Sequence, residues 1–487
     1  MLLVACFTFF STTCNTIRVC YKLTDTISPL DYGLKEAKTG EERYMVLRRT
    51  HEEAQRLGVG VSYAGIKEIQ LKIPAGAKPL PLTNYTDFAG VTIKVENIEK
   101  GFFLFSVLSS VTQLEVKGME IDSRDYSNNR DLRKGNKLLV VTDNTPWVEN
   151  RKGYDYGAIR KDIVMVANGK GSNGPVQSYC SIESNPECYY CEVNPSEKKI
   201  IKNITFERLA TSTEKTYLVK IENQNNVELS NITIKTPQGS GLYGDRAIFV
   251  ANCMNVTLSD ITINDTYSLP NKYGYGVSLN NIYNLHVDNM YARADWGVFG
   301  NNNVHKATLK KCDINRFDIH CYGKDIIFED CNFVNLYNQF SSVYGLISFK
   351  NCVFTGFTPV LIGHSYNAYT AYDLYFESCT FNLDKLHNRI VDFSGFAKEE
   401  NSRHELKEKC LPNVTMVDCQ VNAEGGLKKW YIYNTKAIKG YKGEMSHLSK
   451  VIIEGLSVNN QTIKMEVFSD DVKTVNIIQK QISFKEQ

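Results

Sequence analysis

The chain is organised around a short pattern of apolar and polar positions that recurs between residues 198 and 381. Each copy alternates with period two and is closed by Asn, Gly or Asp, which predicts a β-strand ending in a turn. Its central apolar position falls at Ile204, Ile232, Ile261, Met290, Cys312, Cys331, Cys352 and Cys379. A repeat of this length, built of strands without helices, predicts a parallel β-helix.

The same alternation extends beyond these copies. Residues 66–73, 87–95 and 113–121 alternate before them, and 414–419 and 451–458 alternate after them. Residues 36–57 carry many charges and a few apolar side chains without proline, which predicts an amphipathic helix capping the first coil. We therefore expect an all-β, parallel β-helix over 60–487, preceded by a linker and capping helix over 21–59.

One interval is too long for a single coil. The separation between Met119 and Ile204 is several times that of the other central positions, which predicts an insertion, or irregular coils, at about 122–197. Within it, residues 124–161 hold nine Lys or Arg against five Asp or Glu. This basic excess is consistent with a wall beside a binding groove or with a solvated loop region.

The charge balance and the aromatic content bear on the kind of partner that the protein could bind. The 56 basic residues nearly balance the 54 acidic ones, so net charge gives no argument for nucleic acid or for an anionic membrane surface. The 28 Tyr and 23 Phe suit wide β-surfaces and sugar-binding faces.

Fourteen cysteines occur, and those in register with Ile and Met predict a stack of free thiols packed as small hydrophobes, with Cys419 as a fifth member. Cys180, Cys188 and Cys191 form a separate group, for which a disulfide and a zinc site lacking a fourth ligand both remain open.

The N-terminus is apolar to about Phe10, too short to span a bilayer, and is typical of a secretory signal over 1–20. Leu3 to Cys6 resembles a bacterial lipoprotein box, which would place an outer-membrane lipid anchor on Cys6. We expect an exported protein, located in the periplasm, at the cell surface or outside the cell.

A second strand can be aligned in each coil. In the alignment that we favour, Ile248, Val277, Val298 and Ile319 stack inward, while Phe249, Ser278, Phe299 and His320 face outward. This places Asp295, Arg316, Asp318 and His320 on one outward patch beside glycines, with Arg293 next to it. Asp295 and Asp318 would then be about 8 Å apart.

That separation suits a pair of catalytic carboxylates in an inverting glycosidase, assisted by His320, with Arg293 and Arg316 binding an acidic sugar. The further substrate-binding candidates are Tyr322, Lys324, Trp296 and Asp245. A lyase remains open, in which arginine neutralises a uronate carboxylate and His320, Lys324 or Tyr322 moves the proton. We predict no resident cofactor, except Ca²⁺ near Asp245 and Asp295 if the protein is a lyase. A solvated salt-bridge ladder is the structural alternative.

The repeat, covering about 60–487, resembles the pectate-lyase-like right-handed parallel β-helix superfamily. The stretch from Trp296 to His320 is also similar to exported β-helix proteins of Bacteroidetes. The superfamily implies polysaccharide lyases, hydrolases and epimerases, together with phage tailspikes and adhesins. His320 lies in Ile-His-Cys, without the Asp-Asp pair and Gly-His-Gly turn of polygalacturonases. We predict an exported enzyme that degrades an acidic polysaccharide, with a non-catalytic glycan-binding or surface-structural β-helix as the alternative.

Overall fold

The computed structural model describes most of the chain. It covers residues 25–96, 101–109, 112–114, 125–148, 158–171, 187–193, 197–209, 218–235, 247–264, 275–293, 297–334, 337–341, 343–362, 371–393, 412–424, 427–434, 449–459, 463–468 and 475–484. The predicted signal segment and the proposed anchor at Cys6 lie outside these residues. None of the helices in the described ranges is long and apolar enough to cross a membrane.

The described elements are one 3₁₀ turn, one helix and 33 strands. The turn is Pro29–Tyr32 and the helix, α1, is Gly40–Leu57. The strands are β1 Thr26–Ile27, β2 Gly60–Ser62, β3 Glu68–Lys72, β4 Leu80–Pro81, β5 Tyr85–Glu96, β6 Phe105–Leu108, β7 Thr112–Leu114, β8 Asn136–Val148, β9 Ala158–Ala167, β10 Lys170–Gly171, β11 Glu187–Val193, β12 Lys199–Arg208, β13 Val219–Glu222, β14 Asn225–Lys235, β15 Ile248–Ile263, β16 Tyr275–Ala292, β17 Gly297–Lys310, β18 Asp313–Ile314, β19 Phe317–Cys321, β20 Gly323–Glu329, β21 Asn332–Val334, β22 Asn338–Phe340, β23 Val343–Lys350, β24 Val353–Thr355, β25 Val360–Ile362, β26 Ala371–Glu377, β27 Thr380–Leu383, β28 Arg389–Phe393, β29 Asn413–Ala423, β30 Lys429–Asn434, β31 Ser449–Val458, β32 Lys464–Phe468 and β33 Val475–Phe484.

The predicted parallel β-helix is confirmed. Strands β1–β6 and β12–β33 form one parallel sheet that coils on itself, each strand pairing with its equivalents in neighbouring coils. The central positions stack as predicted: Ile204 pairs with Ile232, Ile232 with Ile261, and Ile261 with Met290. Their side chains are buried in one continuous apolar core, because alternate residues of each strand point into the coil.

Asparagine bends each coil without interrupting the strand pairing. Asn223, Asn252, Asn281 and Asn303 all have positive φ, between 53° and 61°. Each later side chain donates its amide to the Oδ1 of the one before it, at 2.9, 2.7 and 2.9 Å. Asparagine tolerates this left-handed conformation better than most residues. Its side chain also hydrogen-bonds the asparagine of the neighbouring coil, so the corners are linked along the axis of the solenoid.

The stack of thiols is also confirmed. The five cysteines of the stack are free and buried, and each lies one coil from the next: Cys312, Cys331, Cys352, Cys379 and Cys419. Their Sγ atoms donate weakly to backbone carbonyls two residues earlier in the chain, for example from Cys312 to Lys310 at 3.2 Å. They occupy the positions that isoleucine and methionine fill in earlier coils, so they act as small hydrophobes.

The predicted capping helix is confirmed and begins four residues later than Glu36. Thr39 caps α1, accepting from the backbone N–H of Glu42 while Glu42 accepts from the backbone of Thr39, and Gly58 ends the helix with φ 68°. The buried face, Tyr44, Leu47 and Ala54, joins the core of the solenoid. The helix therefore closes the apolar end of the first coil.

We expect the capping helix to lose stability in acid because of His51. This side chain is buried between the rings of Tyr63 and Phe105, and burial lowers its pKa to about 4. The unfolded chain, with an ordinary histidine pKa of about 6.5, binds the proton more readily, so stability falls as pH drops from 6.5 to 4 by roughly 3 kcal/mol. Hydrogen exchange of α1 amides measures this; His51→Gln should flatten the slope, and an unchanged slope would contradict it.

A second, antiparallel sheet lies between β6 and β12 along the chain. Strands β7–β11 form it in the order β10-β9-β8-β11-β7. Strands β8–β11 lie within the stretch where the sequence predicts an insertion or irregular coils, whereas β7 overlaps residues 113–121, which were predicted to form a solenoid strand and instead pair antiparallel with β11. Its apolar residues Leu138, Val140 and Ile163 pack against Met254 and Tyr283 of the solenoid. Cys188 and Cys191 in β11 are free buried thiols, while Cys180 lies outside the described residues.

Candidate functional site

Strand β19 brings the predicted polar residues to the outer face of the solenoid. Phe317 and Ile319 are fully buried in the core, so Asp318 and His320 point away from it. Asp318 pairs with Gly300 of the preceding coil and with Gln339 of the following one. The site is therefore a row of equivalent positions on three neighbouring coils.

The predicted register of this row was wrong. Phe299, expected to face outward, is buried in the core and pairs with Val277 and Phe317. This register brings the ring centroids of Phe299 and Phe317 to 5.1 Å with the rings tilted by 49°, and an irregularity after Asn301 absorbs the difference in coil length. Asp318 aligns with Gly300 rather than with a position close to Asp295, so the predicted separation of the two carboxylates loses its basis.

Asp318 and Arg316 form a buried ion pair. Arg316 Nε donates to Asp318 Oδ1, and the side chains are 2% and 0% exposed. The Arg316 guanidinium also donates to Gln339 Oε1 at 3.1 Å and lies 4.5 Å from the ring centroid of Tyr337. These three partners hold the guanidinium, and its charge is committed to Asp318 rather than offered to a ligand.

The Asp318 carboxyl remains ionised in this environment. Burial alone would raise its pKa, but the charge of Arg316 and the nearby His320 outweigh burial and lower the pKa below its ordinary value. An ionised carboxylate accepts hydrogen bonds and donates none. Asp318 therefore acts as a fixed acceptor at the base of the site.

Tyr275 links this acceptor to the surface. Its hydroxyl lies 2.8 Å from Asp318 Oδ2 and 2.9 Å from His320 Nε2. Because the carboxylate cannot donate, the single hydroxyl proton goes to Asp318, and the hydroxyl oxygen must accept from His320 Nε2–H. The chain Asp318–Tyr275–His320 therefore places the imidazole proton on Nε2 and makes Nδ1 the basic nitrogen of the neutral ring. We call these three residues the relay.

Two glycines make room for the Tyr275 ring. A Cβ on Gly300 would lie 2.5 Å from Cγ of Tyr275, and one on Gly297 would lie 3.1 Å from its Cε1. The sequence predicted that Gly297 faces outward and leaves an open groove floor beside Asp318. The space is instead filled by the tyrosine ring, which is why Asp318 is buried and His320, with 14% of its side chain exposed, reaches solvent.

We expect Gly300→Ala to disrupt the relay more than Gly297→Ala does. The added methyl at Gly300 overlaps the Tyr275 ring, whereas at Gly297 a shift of a few tenths of an ångström suffices. If the protein is active, Gly300→Ala should reduce activity at least tenfold, and Gly297→Ala by less. Activity and circular dichroism of both variants check this, and equal activities would show that the ring position does not matter.

A strip of partly buried aromatic rings continues from the relay toward the C-terminal coils. Tyr337, beside Arg316, has its ring centroid 6.3 Å from that of Phe357, and Phe357 lies 4.4 Å from His387. His387 Nδ1 is in turn 3.0 Å from Asp384. The strip, Tyr337, Phe357 and His387, crosses successive coils, so it runs along the solenoid axis.

The remaining predicted site residues are dispersed or lie outside the described ranges. Arg293 makes a bidentate pair with Asp313, at 2.7 and 2.5 Å. Tyr322 is 2% exposed and has a positive φ of 65°, so it forms a corner of the coil rather than a binding surface. Lys324 lies past that corner on β20, paired with His305 and Tyr344. The predicted residues outside the described ranges are Asp245, Asp295 and Trp296.

Sequence reasoning missed Tyr275, Gln339 and Tyr337. The strongest available signal was the pair Gly297 and Gly300, because glycines inside a strand often mark a place where another group approaches the backbone closely. Within the described residues, no group of three or more His, Cys, Asp or Glu is placed to hold a metal ion. The two aspartates proposed for Ca²⁺ are among the residues not described.

Comparison with known proteins supports the fold. No protein-family model matches the chain, and no curated protein sequence matches it. The tailspike gp49 from Pseudomonas phage LKA1 is 13% identical with a TM-score of 0.56, covering 94% of this chain and 79% of that one. The Gp54 tailspike of Acinetobacter baumannii bacteriophage AP22, solved with capsular saccharide, is 14% identical with a TM-score of 0.60, covering 93% and 76%.

A hyperthermoactive exopolygalacturonase from Thermotoga maritima is 9% identical with a TM-score of 0.34, covering 96% of this chain and 95% of that one, too weak a likeness to support an inference. The two tailspikes, at their low identities, show the parallel β-helix fold alone. They agree with the predicted superfamily resemblance at the level of fold, whereas similarity to Bacteroidetes proteins stays a prediction.

Proposed function

We propose that this protein binds an acidic polysaccharide along its outer face and cleaves it with His320 as the acid–base group. The relay is the observation that carries the proposal. A fully buried arginine–aspartate pair is costly to desolvate and contributes little net stability compared with apolar packing. Here the pair holds one carboxylate ionised so that it fixes, through a tyrosine hydroxyl, the proton position of a surface imidazole. Such an arrangement suits acid–base chemistry.

Elimination fits the relay better than hydrolysis by two carboxylates. Asp318 has no exposed surface, so it orients other groups rather than contacting a sugar. In a uronic acid polymer, His320 Nδ1 would take the proton α to the carboxylate. The electron pair of the broken C–H bond forms the C=C bond as the glycosidic C–O bond breaks. The imidazolium then returns the proton to the departing oxygen. Tyr275 and Asp318 are positioning residues in this scheme.

The aromatic strip supports the binding of a chain rather than of a single sugar. Sugar rings pack their apolar faces on aromatic side chains, and coils repeat at about 4.8 Å, close to the length of one pyranose. The strip begins at Tyr337, directly beside the Arg316–Asp318 pair. The AP22 tailspike, which has the same fold, was solved in complex with a capsular saccharide, and this supports a saccharide ligand here.

Binding without cleavage is the second candidate. The burial of Asp318 and the strip of rings are both consistent with a surface that holds a polysaccharide and leaves it intact. Either role requires contact with a polymer that lies outside most cells, so we also propose that the chain is exported. The signal segment and Cys6 anchor remain predictions.

A panel of acidic and neutral polysaccharides separates these candidates. We expect the purified protein to release unsaturated uronate ends, together with reducing ends, from an acidic polymer. Reducing ends without unsaturation would replace elimination with hydrolysis. Retention of the polymer on the protein without new ends would favour the binding role, and neither retention nor cleavage on any polymer would overturn the proposal.

A further inference from the structure

A cavity distant in sequence from the relay lies where the antiparallel sheet meets the first coils of the solenoid. Close to it, Cys191 Sγ lies 3.5 Å from Asn223 Oδ1, and the Tyr189 hydroxyl lies 3.3 Å from Asn252 Oδ1. The cavity has a volume of about 620 Å³ and is open to solvent. Pockets that bind small molecules fall in this size range and often occur at such junctions.

The cavity is lined by described residues from both structural units, and almost all are polar. Lys137, Gln224 and Asn225 are at most 7% exposed and form its most buried part. Asn223 and Gln224 are held in place by Ser109, whose backbone oxygen and hydroxyl accept from them at 2.5 and 2.6 Å. A lining of polar side chains that includes fixed amides suits a ligand rich in hydroxyl groups rather than an aliphatic or aromatic one.

The charged groups of the lining favour an anion. Three lysines, Lys134, Lys137 and Lys199, outnumber two glutamates, Glu192 and Glu197. Lys199 is largely buried, where its ammonium donates to Asn84 Oδ1 and lies 3.7 Å from Glu197 Oε2. Burial still lowers its pKa, so an added anion would stabilise its charged form. Lys137 is fixed by the Lys134 carbonyl at 2.6 Å and lies over the Tyr190 ring.

We infer that this cavity is a second binding site, which takes an acidic sugar residue with its carboxylate near the lysines and its hydroxyls on the amides of Asn223 and Gln224. The site is separate from the relay, because it is built by β7, β8, β11, β12, β14 and the turns beside them rather than by β16 and β19. It would hold a branch or a distant part of the polymer without reacting with it. The inference extends the proposed function, but its binding test does not depend on cleavage at His320.

Titration with short ligands tests this site. Calorimetry with an acidic uronate disaccharide, a neutral disaccharide and inorganic phosphate is carried out on the full chain carrying His320→Gln, so that the ligand survives. Hydrogen exchange then locates the bound ligand. We expect the uronate disaccharide alone to bind and to protect amides of β8 and β13.

Matched variants test whether the lysines of the cavity bind the carboxylate of the ligand. Lys134→Glu, on the exposed rim, and Lys199→Gln should each weaken uronate binding at least tenfold, since each removes a charged hydrogen bond. Lys170→Gln, on the same antiparallel sheet but outside the cavity lining, should leave the affinity unchanged. Equal binding of the neutral disaccharide, binding of phosphate alone, protection elsewhere, or no binding would each overturn the inference, whatever the outcome for cleavage.

Discussion

Asp318→Asn should lower the free energy of unfolding by about 3–5 kcal/mol, the usual cost of breaking a buried ion pair. Both side chains are at most 2% exposed, so the substitution leaves the Arg316 charge buried with an amide in place of its counter-ion. Urea unfolding followed by circular dichroism measures the change. Hydrogen exchange in β17, β19 and β22 locates it, which matters because a solenoid need not unfold in one step.

A double substitution is the control for this prediction. Arg316→Met with Asp318→Leu removes both charges and keeps the volume, so it should recover most of the lost stability. The same variant should be inactive because the relay has lost its acceptor. Wild-type stability in Asp318→Asn would show that solvent reaches Arg316 and would contradict the buried pair.

The pH dependence of the pair has a defined sign. The pKa of Asp318 in the folded chain lies below its unfolded value, so the pair contributes its full stability above about pH 4. That contribution is lost as the pH falls through the lower, folded-state pKa. The loss of stability in acid that we attribute to His51 occurs at higher pH, so His51→Gln separates the two effects.

His320→Gln should reduce kcat by about 10²–10⁴, the usual contribution of a general acid–base group, with little change in stability. Only 14% of this side chain is exposed, so it contacts ligand at one edge, and glutamine keeps a donor for the Tyr275 hydroxyl. Initial rates on the polysaccharide that gives the strongest signal in the panel measure the effect.

His286→Gln is a matched control, since His286 is a half-buried, outward histidine of β16 that pairs with threonines. It should retain full activity. Tyr275→Phe should lower kcat and alter the pH profile without changing KM, because it removes the hydrogen bonds that orient the imidazole. Equal rates for wild type and His320→Gln would exclude a catalytic role for His320.

The fold could be predicted from the sequence because both the buried position and the turn residue before it recur in nearly every coil. Isoleucine, methionine or cysteine occupies the same buried register position in successive coils. The residue before it has a left-handed backbone and is asparagine or aspartate in most coils. The helix start was missed by four residues because charged residues before Thr39 resemble a helix face, and the cap itself decides the boundary.

The site was predicted less well than the fold, for a physical reason. Alternation cannot decide whether Val298 or Phe299 points inward, since both are apolar. The structure settles the question by pairing Phe299 with Val277 on one side and with Phe317 on the other, across two coils of unequal length. Arg316, Asp318 and His320 were identified correctly as neighbours because they are close in sequence. Tyr275 reaches them across two coils, which no local pattern reveals.

The proposed activity depends most on the direction of the hydrogen bonds from His320 through Tyr275 to Asp318. Selective ¹⁵N labelling of the eight histidines allows the protonated ring nitrogen of His320 to be read directly. The relay predicts a proton on Nε2 in the wild type and a mixture of tautomers in Tyr275→Phe. A proton on Nδ1, or a spectrum unaffected by Tyr275→Phe, would contradict the relay and the acid–base role built on it.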